Sequence, residues 1–318
     1  MTGRLRASRQ GFACILALAL LAAFAFAADN PDWAYPPTPK AEPLDNVVLK
    51  QMPGSTKQFT QAQIDDPFDP PDWYPDEHPP MPPIVAHGAK PAVQACARCH
   101  LPTGAGHPES SDLAGLPAAY IVRQMAAFKN GERKGIRATN MIAFARAIAD
   151  DDVRAAAAYY AALKPGAWTR VVETDTVAKS FVGAGAMRFA VADGGSEPIG
   201  SRIIELPQDP TRAASRDAHS GFVAHVPPGS IARGAALVAT EDGGKTIPCA
   251  ICHGPALKGL GEVPGIVGRS PIYVVRALND MQTGSRTGSL VALMQAVVAR
   301  LSVDDMIAIA AYLGAREP

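Results

Sequence analysis

Apolar positions are distributed unevenly along this 318-residue chain. An apolar run from Phe12 to Phe26 follows Arg4, Arg6 and Arg9 and closes on Ala25-Phe26-Ala27. A basic start, a short apolar stretch and a small-x-small site are the layout of a secretory signal peptide, and the run is short for a bilayer span. Residues 1–27 are therefore expected to be removed on export; an uncleaved anchor is the alternative.

Further on, helix-forming residues gather in matched segments. "PAAYIVRQMAAFKNGER" and "PIYVVRALNDMQTGSR" stop at Gly131 and Gly284, a favoured helix-ending residue in each case. "DDDVRAAAAYYAAL" and "SVDDMIAIAAYLGA" open on acids that suit a helix N-terminus, and Ser302 with Asp305 resembles a capping pair. "GSIARGAALVAT" predicts a further helix with Ser230 as N-cap. Its counterpart ahead of the first pair, "HPPMPPIVAHG", is too rich in proline for a helix of that length. Residues 29–83 hold 14 prolines and mix acids with aromatics, which predicts an extended arm without a core of its own. Residues 166–229 read as irregular, although "RIIEL" and "GFVAHV" could pair as strands.

The matched segments belong to a repeat. At a fixed offset of 153, residues 96–163 and 249–316 share 23 identities in 68 positions without a gap. They include Gly106/Gly259, Tyr120/Tyr273, Arg123/Arg276, Arg133/Arg286 and Tyr159/Tyr312. The expected organisation is a signal peptide (1–27), a proline-rich acidic arm (28–83), one helical unit (84–165), a linking segment (166–229) and a second helical unit (230–318). The fold class expected is all-α, with the units in tandem.

Each repeat opens on one pattern, "CARCH" at 96–100 and "CAICH" at 249–253. Without residues 1–27 the chain keeps only Cys96, Cys99, Cys249 and Cys252. A single zinc site would want its cysteine pairs about 15–20 residues apart. A thioredoxin-like dithiol belongs at a strand end in an α/β domain, whereas these copies lie in helical units. Covalent haem attachment accounts for every element: two thiols add to the two vinyl groups, and His100 or His253 coordinates iron from one face. It also gives a unit of under 100 residues a centre around which to pack.

The sixth ligand follows from the repeat. His78, His87, His107, His219 and His225 have no histidine counterpart at the offset, which leaves no shared His/His scheme. Among nine methionines only Met141 and Met294 match, each 41 residues after its histidine. His100/Met141 and His253/Met294 are the expected axial pairs, and Met125, Met281 and Met306 are expected as core fillers. A thioether ligand favours ferrous iron, and two filled axial positions leave no vacancy for a substrate.

On these residues the chain resembles the class I cytochromes c, and its duplication resembles the two-haem cytochromes of the c4 type. The resemblance covers residues 84–165 and 230–318 and extends to "PGIVGRSPIYVVRAL" at 264–278. It implies periplasmic one-electron transfer by two haem units related by an approximate two-fold axis. It also implies that the carbonyl of Pro264 accepts from His253; the first copy has Ser111 at that position. The arm and the linking segment lie outside the pattern and point to a dedicated partner.

Charge refines the picture little. Without the leader, 27 basic residues face 30 acids; the arm carries three lysines against ten acids, and residues 84–165 ten basic residues against six acids. The expected partners are redox proteins, a donor and an acceptor such as a dehydrogenase, an oxidase or another cytochrome, in a membrane-bound complex in one version, and no nucleic acid. The expected role is an electron carrier and not an enzyme. The alternatives are a two-haem enzyme of the cytochrome c peroxidase or thiosulfate dehydrogenase type, and an electron-accepting subunit of a dehydrogenase complex.

Overall fold

A computed structural model describes residues 30–37, 46–240, 244–288 and 290–318. The expected signal peptide lies outside the described residues. None of the described helices is long and apolar enough to cross a membrane.

Each repeat folds as a helical unit. In the first, a turn of helix at Ala97–His100 (α1) precedes Ala118–Lys129 (α2), Thr139–Ala147 (α3) and Asp150–Ala162 (α4). The second unit is led by Ser230–Ala239 (α5) and continues through Ala250–His253 (α6), Pro271–Gln282 (α7), Ala292–Val298 (α8) and Val303–Gly314 (α9). The α9 start is the capping box expected: Ser302 Oγ accepts from the Asp305 amide at 3.2 Å, and Asp305 accepts from the Ser302 amide at 2.8 Å. Helix α5 is capped differently from expectation. Gly229, with φ 78°, occupies the cap, Ser230 is the first helical residue, and Glu173 accepts from the Ile231 amide at 2.7 Å. Helices α5 and α9 touch at Gly234, where a Cβ would lie 1.9 Å from the Ala308 carbonyl oxygen.

Where the second unit has α5, the first has only the turn Pro83–Ala86. Its Ile84 and Val85 fill the same core as Ile121, Val153 and Tyr160. Proline at the first position starts this turn, and a chain held by Pro79, Pro80 and Pro82 cannot extend it backward.

The linking segment corrects the all-α expectation. Thr169–Glu173 (β1), Ile204–Pro207 (β2) and Phe222–Val226 (β3) form a mixed sheet in the order β1-β3-β2. Strand β1 runs parallel to β3, with Thr169 beside Phe222, and β2 runs antiparallel to it, with Ile204 beside His225. The β2–β3 pairing is the one the two apolar runs suggested. Two short antiparallel pairs add to it, and Val177, Ile199, Ile204 and Leu206 close a small core.

The arm likewise has a core, contrary to expectation. Met52, Ile64, Trp73 and Tyr74 pack together with Phe59. The Trp73 indole donates to the Ser215 carbonyl at 2.8 Å, Tyr74 stacks on His219, and Arg216 donates to the Ile64 carbonyl at 3.0 Å. The aromatics thus dock on the linking segment. The start of the arm reaches the second unit, where the Tyr35 hydroxyl donates to Asp280 at 2.8 Å and accepts from Asn279 at 3.0 Å.

The two units meet along an approximate two-fold axis. Arg133 and Arg286, equivalent residues of the repeat, face each other in an antiparallel bridge. Arg133 donates to the Tyr273 hydroxyl at 3.2 Å, and Arg286 donates to the Tyr120 hydroxyl at 3.0 Å. Gln124 accepts from both arginines, at 3.0 and 2.7 Å.

Candidate functional site

A helical turn brings residues i, i+3 and i+4 to one side. In α1 the amides of Cys99 and His100 both bond the Cys96 carbonyl, at 3.2 and 3.0 Å, so the two thiols and the imidazole face the same way. Helix α6 repeats this, with Cys252 and His253 bonding the Cys249 carbonyl at 3.3 and 2.9 Å.

Each histidine is oriented by one backbone carbonyl. His100 Nδ1 lies 2.8 Å from the Ser111 oxygen and His253 Nδ1 lies 2.8 Å from the Pro264 oxygen, residues one repeat apart. A carbonyl only accepts, so Nδ1 carries the proton and Nε2 keeps its lone pair for a metal. Burial pushes both imidazoles below their ordinary range, which holds them neutral and ready to ligate.

The first thiol of each pair is unlike that of a redox dithiol. Burial pushes Cys96 up to about 12 and Cys249 up to about 11. A catalytic Cys-x-x-Cys pair needs the opposite shift, toward thiolate. Among the described residues no three His, Cys, Asp or Glu side chains converge to hold a bare metal ion. A buried, neutral first thiol beside an oriented imidazole suits attachment to a prosthetic group.

A cavity of about 1190 Å³ opens in the first unit, walled by its Cys96, Cys99, His100, Met141 and Phe144 and completed by Tyr273 and Arg276 of the second unit. The volume exceeds the roughly 300–1,000 Å³ usual for a small-molecule site. Met141, on α3, packs against the cluster of Phe128, Ala138 and Ala145. Tyr160 lines this cavity, and its hydroxyl is buried with no hydrogen-bond partner among the described residues. Arg98, Arg133, Arg137 and Arg276 supply cationic wall. An apolar slot with two thiols, an imidazole and a thioether, edged by arginine, fits a haem with its two carboxylates. Cys96 and Cys99 would hold it covalently, and His100 and Met141 would ligate its iron.

The second unit is more open. Cys249 and Met294 pack against its core, His253 is half-buried and Cys252 is exposed. Ile251 and Leu293, next in sequence to Cys252 and Met294, are 66% and 67% exposed. Met281 and Met306 are buried in the second core, as expected of fillers, and Met125 packs on the first. None of His78, His87, His107, His219 and His225 lines the large cavity. His107 is buried against Phe222, and burial pushes it down to about 3.

Two groups of residues around the site had no role in the sequence reading. The arginine–tyrosine contacts of the interface were visible only as repeat identities. Glu109 and Glu262, also equivalent, sit two residues before Ser111 and Pro264. Their identity across the repeat was the signal that could have drawn notice to them.

Comparison with known proteins agrees with this chemistry. The family described as cytochrome C oxidase, cbb3-type, subunit III matches residues 84–159. The chain is 28% identical over 232 residues to a thiosulfate dehydrogenase electron acceptor of Thiomonas intermedia, covering 72% of this chain and 81% of the relative. It is 25% identical over 234 residues to the cytochrome c4 of Pseudomonas aeruginosa, covering 72% and 86%. A shorter relative, cytochrome c-554(548) of Halomonas halodenitrificans, is 35% identical over 69 residues, covering 21% of this chain and 83% of its own length.

Proposed function

The chain belongs to the dihaem cytochrome c family, and from that premise we propose that it is an exported carrier of single electrons that accepts them from a thiosulfate-oxidising dehydrogenase. The observation that carries the reading is the pair of identical histidine–carbonyl bonds, one in each unit and one repeat apart. Each unit therefore prepares one neutral imidazole beside one pair of thiols. Cys96 and Cys99 would hold the first haem and Cys249 and Cys252 the second, with His100 and Met141, and His253 and Met294, as the ligands of their irons.

A c-type haem bound in this way supplies a one-electron iron couple, and a thioether ligand raises its potential relative to two imidazoles. The protein's part is to hold four ligands still, so that little reorganisation accompanies the change of charge. Ser111 and Pro264 fix the imidazole protons at Nδ1, and burial keeps the rings neutral. The shared interface of Arg133, Arg286, Tyr120 and Tyr273 keeps the units at one separation. The dehydrogenase donor is taken from what the relative in Thiomonas intermedia is named for. Export places the carrier in the periplasm, where a membrane-bound oxidase or another cytochrome would take its electrons.

Stopped-flow reduction tests the reading. With thiosulfate and a thiosulfate dehydrogenase, both haem bands should reduce; with thiosulfate alone, neither should. Turnover of thiosulfate by the isolated chain would make it an enzyme, and no reduction in the full mixture would point to another donor.

A further inference from the structure

The two histidine acceptors differ in what holds them. Pro264 has a fixed φ and stiffens its own loop, whereas Ser111 does not. The loop before Ser111 is instead gripped from the second unit. Arg276, on α7, donates to Glu109 Oε2 at 3.2 Å and also to the Pro108 carbonyl. Arg269 donates to the Asp112 carbonyl at 3.2 Å, on the other side of Ser111. Glu109 is held a second time by Arg137, 3.2 Å away, just ahead of the helix that carries Met141.

The repeat supplies a mirror of this grip. Arg123, the equivalent of Arg276, bonds both the carboxylate and, at 3.0 Å, the carbonyl of Glu262, the equivalent of Glu109. Each unit thus reaches across to the loop that orients the other's histidine. The two grips are unequal. The Arg276 and Glu109 side chains are 5% and 6% exposed, those of Arg123 and Glu262 33% and 67%. An exposed pair contributes about 0–1 kcal/mol and is screened by salt. A buried, hydrogen-bonded pair resists screening, and breaking it is costly.

We propose that Arg276 and Glu109 are positioning residues for His100, so that the second unit sets the axial geometry and the potential of the first haem, while the reverse grip leaves the second haem nearly independent. This rests on His100 and His253 being axial ligands. The physical link is the His100–Ser111 hydrogen bond. An acceptor held close to Nδ1–H makes the imidazole a stronger donor to iron and favours the ferric state. A loosened loop weakens that bond and favours the ferrous state.

The test uses the full two-haem protein. Near-infrared magnetic circular dichroism of the wild type first reports His/Met ligation at each iron; a failure there sinks the ligand assignment and not the coupling. The double variant Glu109→Gln/Arg276→Gln removes opposite charges together and so keeps the local net charge. At a fixed ambient potential the ratio of reduced to oxidised first haem should rise about threefold, equivalent to about 28 mV. The haem-methyl proton resonances of the first haem should move, and those of the second should not. Arg123→Gln/Glu262→Gln should move the second haem less than this. Unchanged ratio and resonances at the first haem would overturn the proposal, as would equal changes at both haems. Should the double variant fail to retain the first haem, Arg276→Lys is the arbiter: a smaller shift of the same sign supports the coupling, and a wild-type spectrum refutes it.

Discussion

Replacing Glu205 by Gln should stabilise the protein at alkaline pH and leave its acid stability nearly unchanged. Glu205 sits on β2 with 1% exposure and reaches the N-terminus of α7. It accepts from Ser270 Oγ at 2.9 Å and from the Ile272 amide at 2.7 Å. Burial nevertheless dominates and pushes its carboxyl up from 4.5 to about 7. Below pH 4.5 the group is protonated in both folded and unfolded chains and contributes no pH dependence. Between about 4.5 and 7 the unfolded chain gives up a proton that the folded chain keeps, so stability falls as pH rises. A difference of about 2.5 units at 1.36 kcal/mol per unit amounts to roughly 3 kcal/mol, fully felt above pH 7. Glutamine keeps an acceptor for the Ile272 amide and an amide group that can donate to Ser270, but has no charge to bury. Urea unfolding of wild type and Glu205→Gln at pH 4.5, 6 and 8 measures the difference directly. The variant should draw ahead of wild type progressively, by about 3 kcal/mol at pH 8. A stability difference that is the same at all three pH values would refute the reasoning, because only the titration of Glu205 makes it grow.

Gly234→Ala should destabilise the second unit by about 1–3 kcal/mol or more, since a Cβ there meets backbone and not a movable side chain; a lowered melting temperature, with the first unit's spectrum intact, is the readout. Trp73→Ala removes a 3% exposed indole and its bond to Ser215, and should cost about 3–5 kcal/mol locally. Hydrogen exchange should then quicken in residues 210–219. On the proposed ligation, Met141→Ala and Met294→Ala should each let one iron bind carbon monoxide where wild type binds none. If neither does so, those methionines are not the ligands.

What was legible in the sequence was short-range or repeated. The Cys-x-x-Cys-His turns carry their chemistry within five residues, and a helical turn alone places their thiols and imidazole together. The duplication shows because Tyr120, Arg133 and Met141 recur at one offset as Tyr273, Arg286 and Met294. Capping of α9 by Ser302 and Asp305 is contained within four residues and was equally readable. The β2–β3 pairing was visible as two apolar runs, but not the parallel addition of β1, since no periodicity states which distant strand lies alongside.

Tertiary structure decided everything that depends on a partner far along the chain. A proline-rich arm reads as solvated because its composition offers little core, yet Trp73 finds the Ser215 carbonyl 142 residues away and buries itself there. Glu205 looks like any strand carboxylate until the α7 N-terminus is placed over it. Glu109 and Arg276 lie 167 residues apart, and neither betrays the other by type or spacing. Local pattern encodes the period of a helix or strand and the reach of a single turn. It does not encode which buried carbonyl or carboxylate will complete a hydrogen bond, because that choice is made by the packing of whole units against one another.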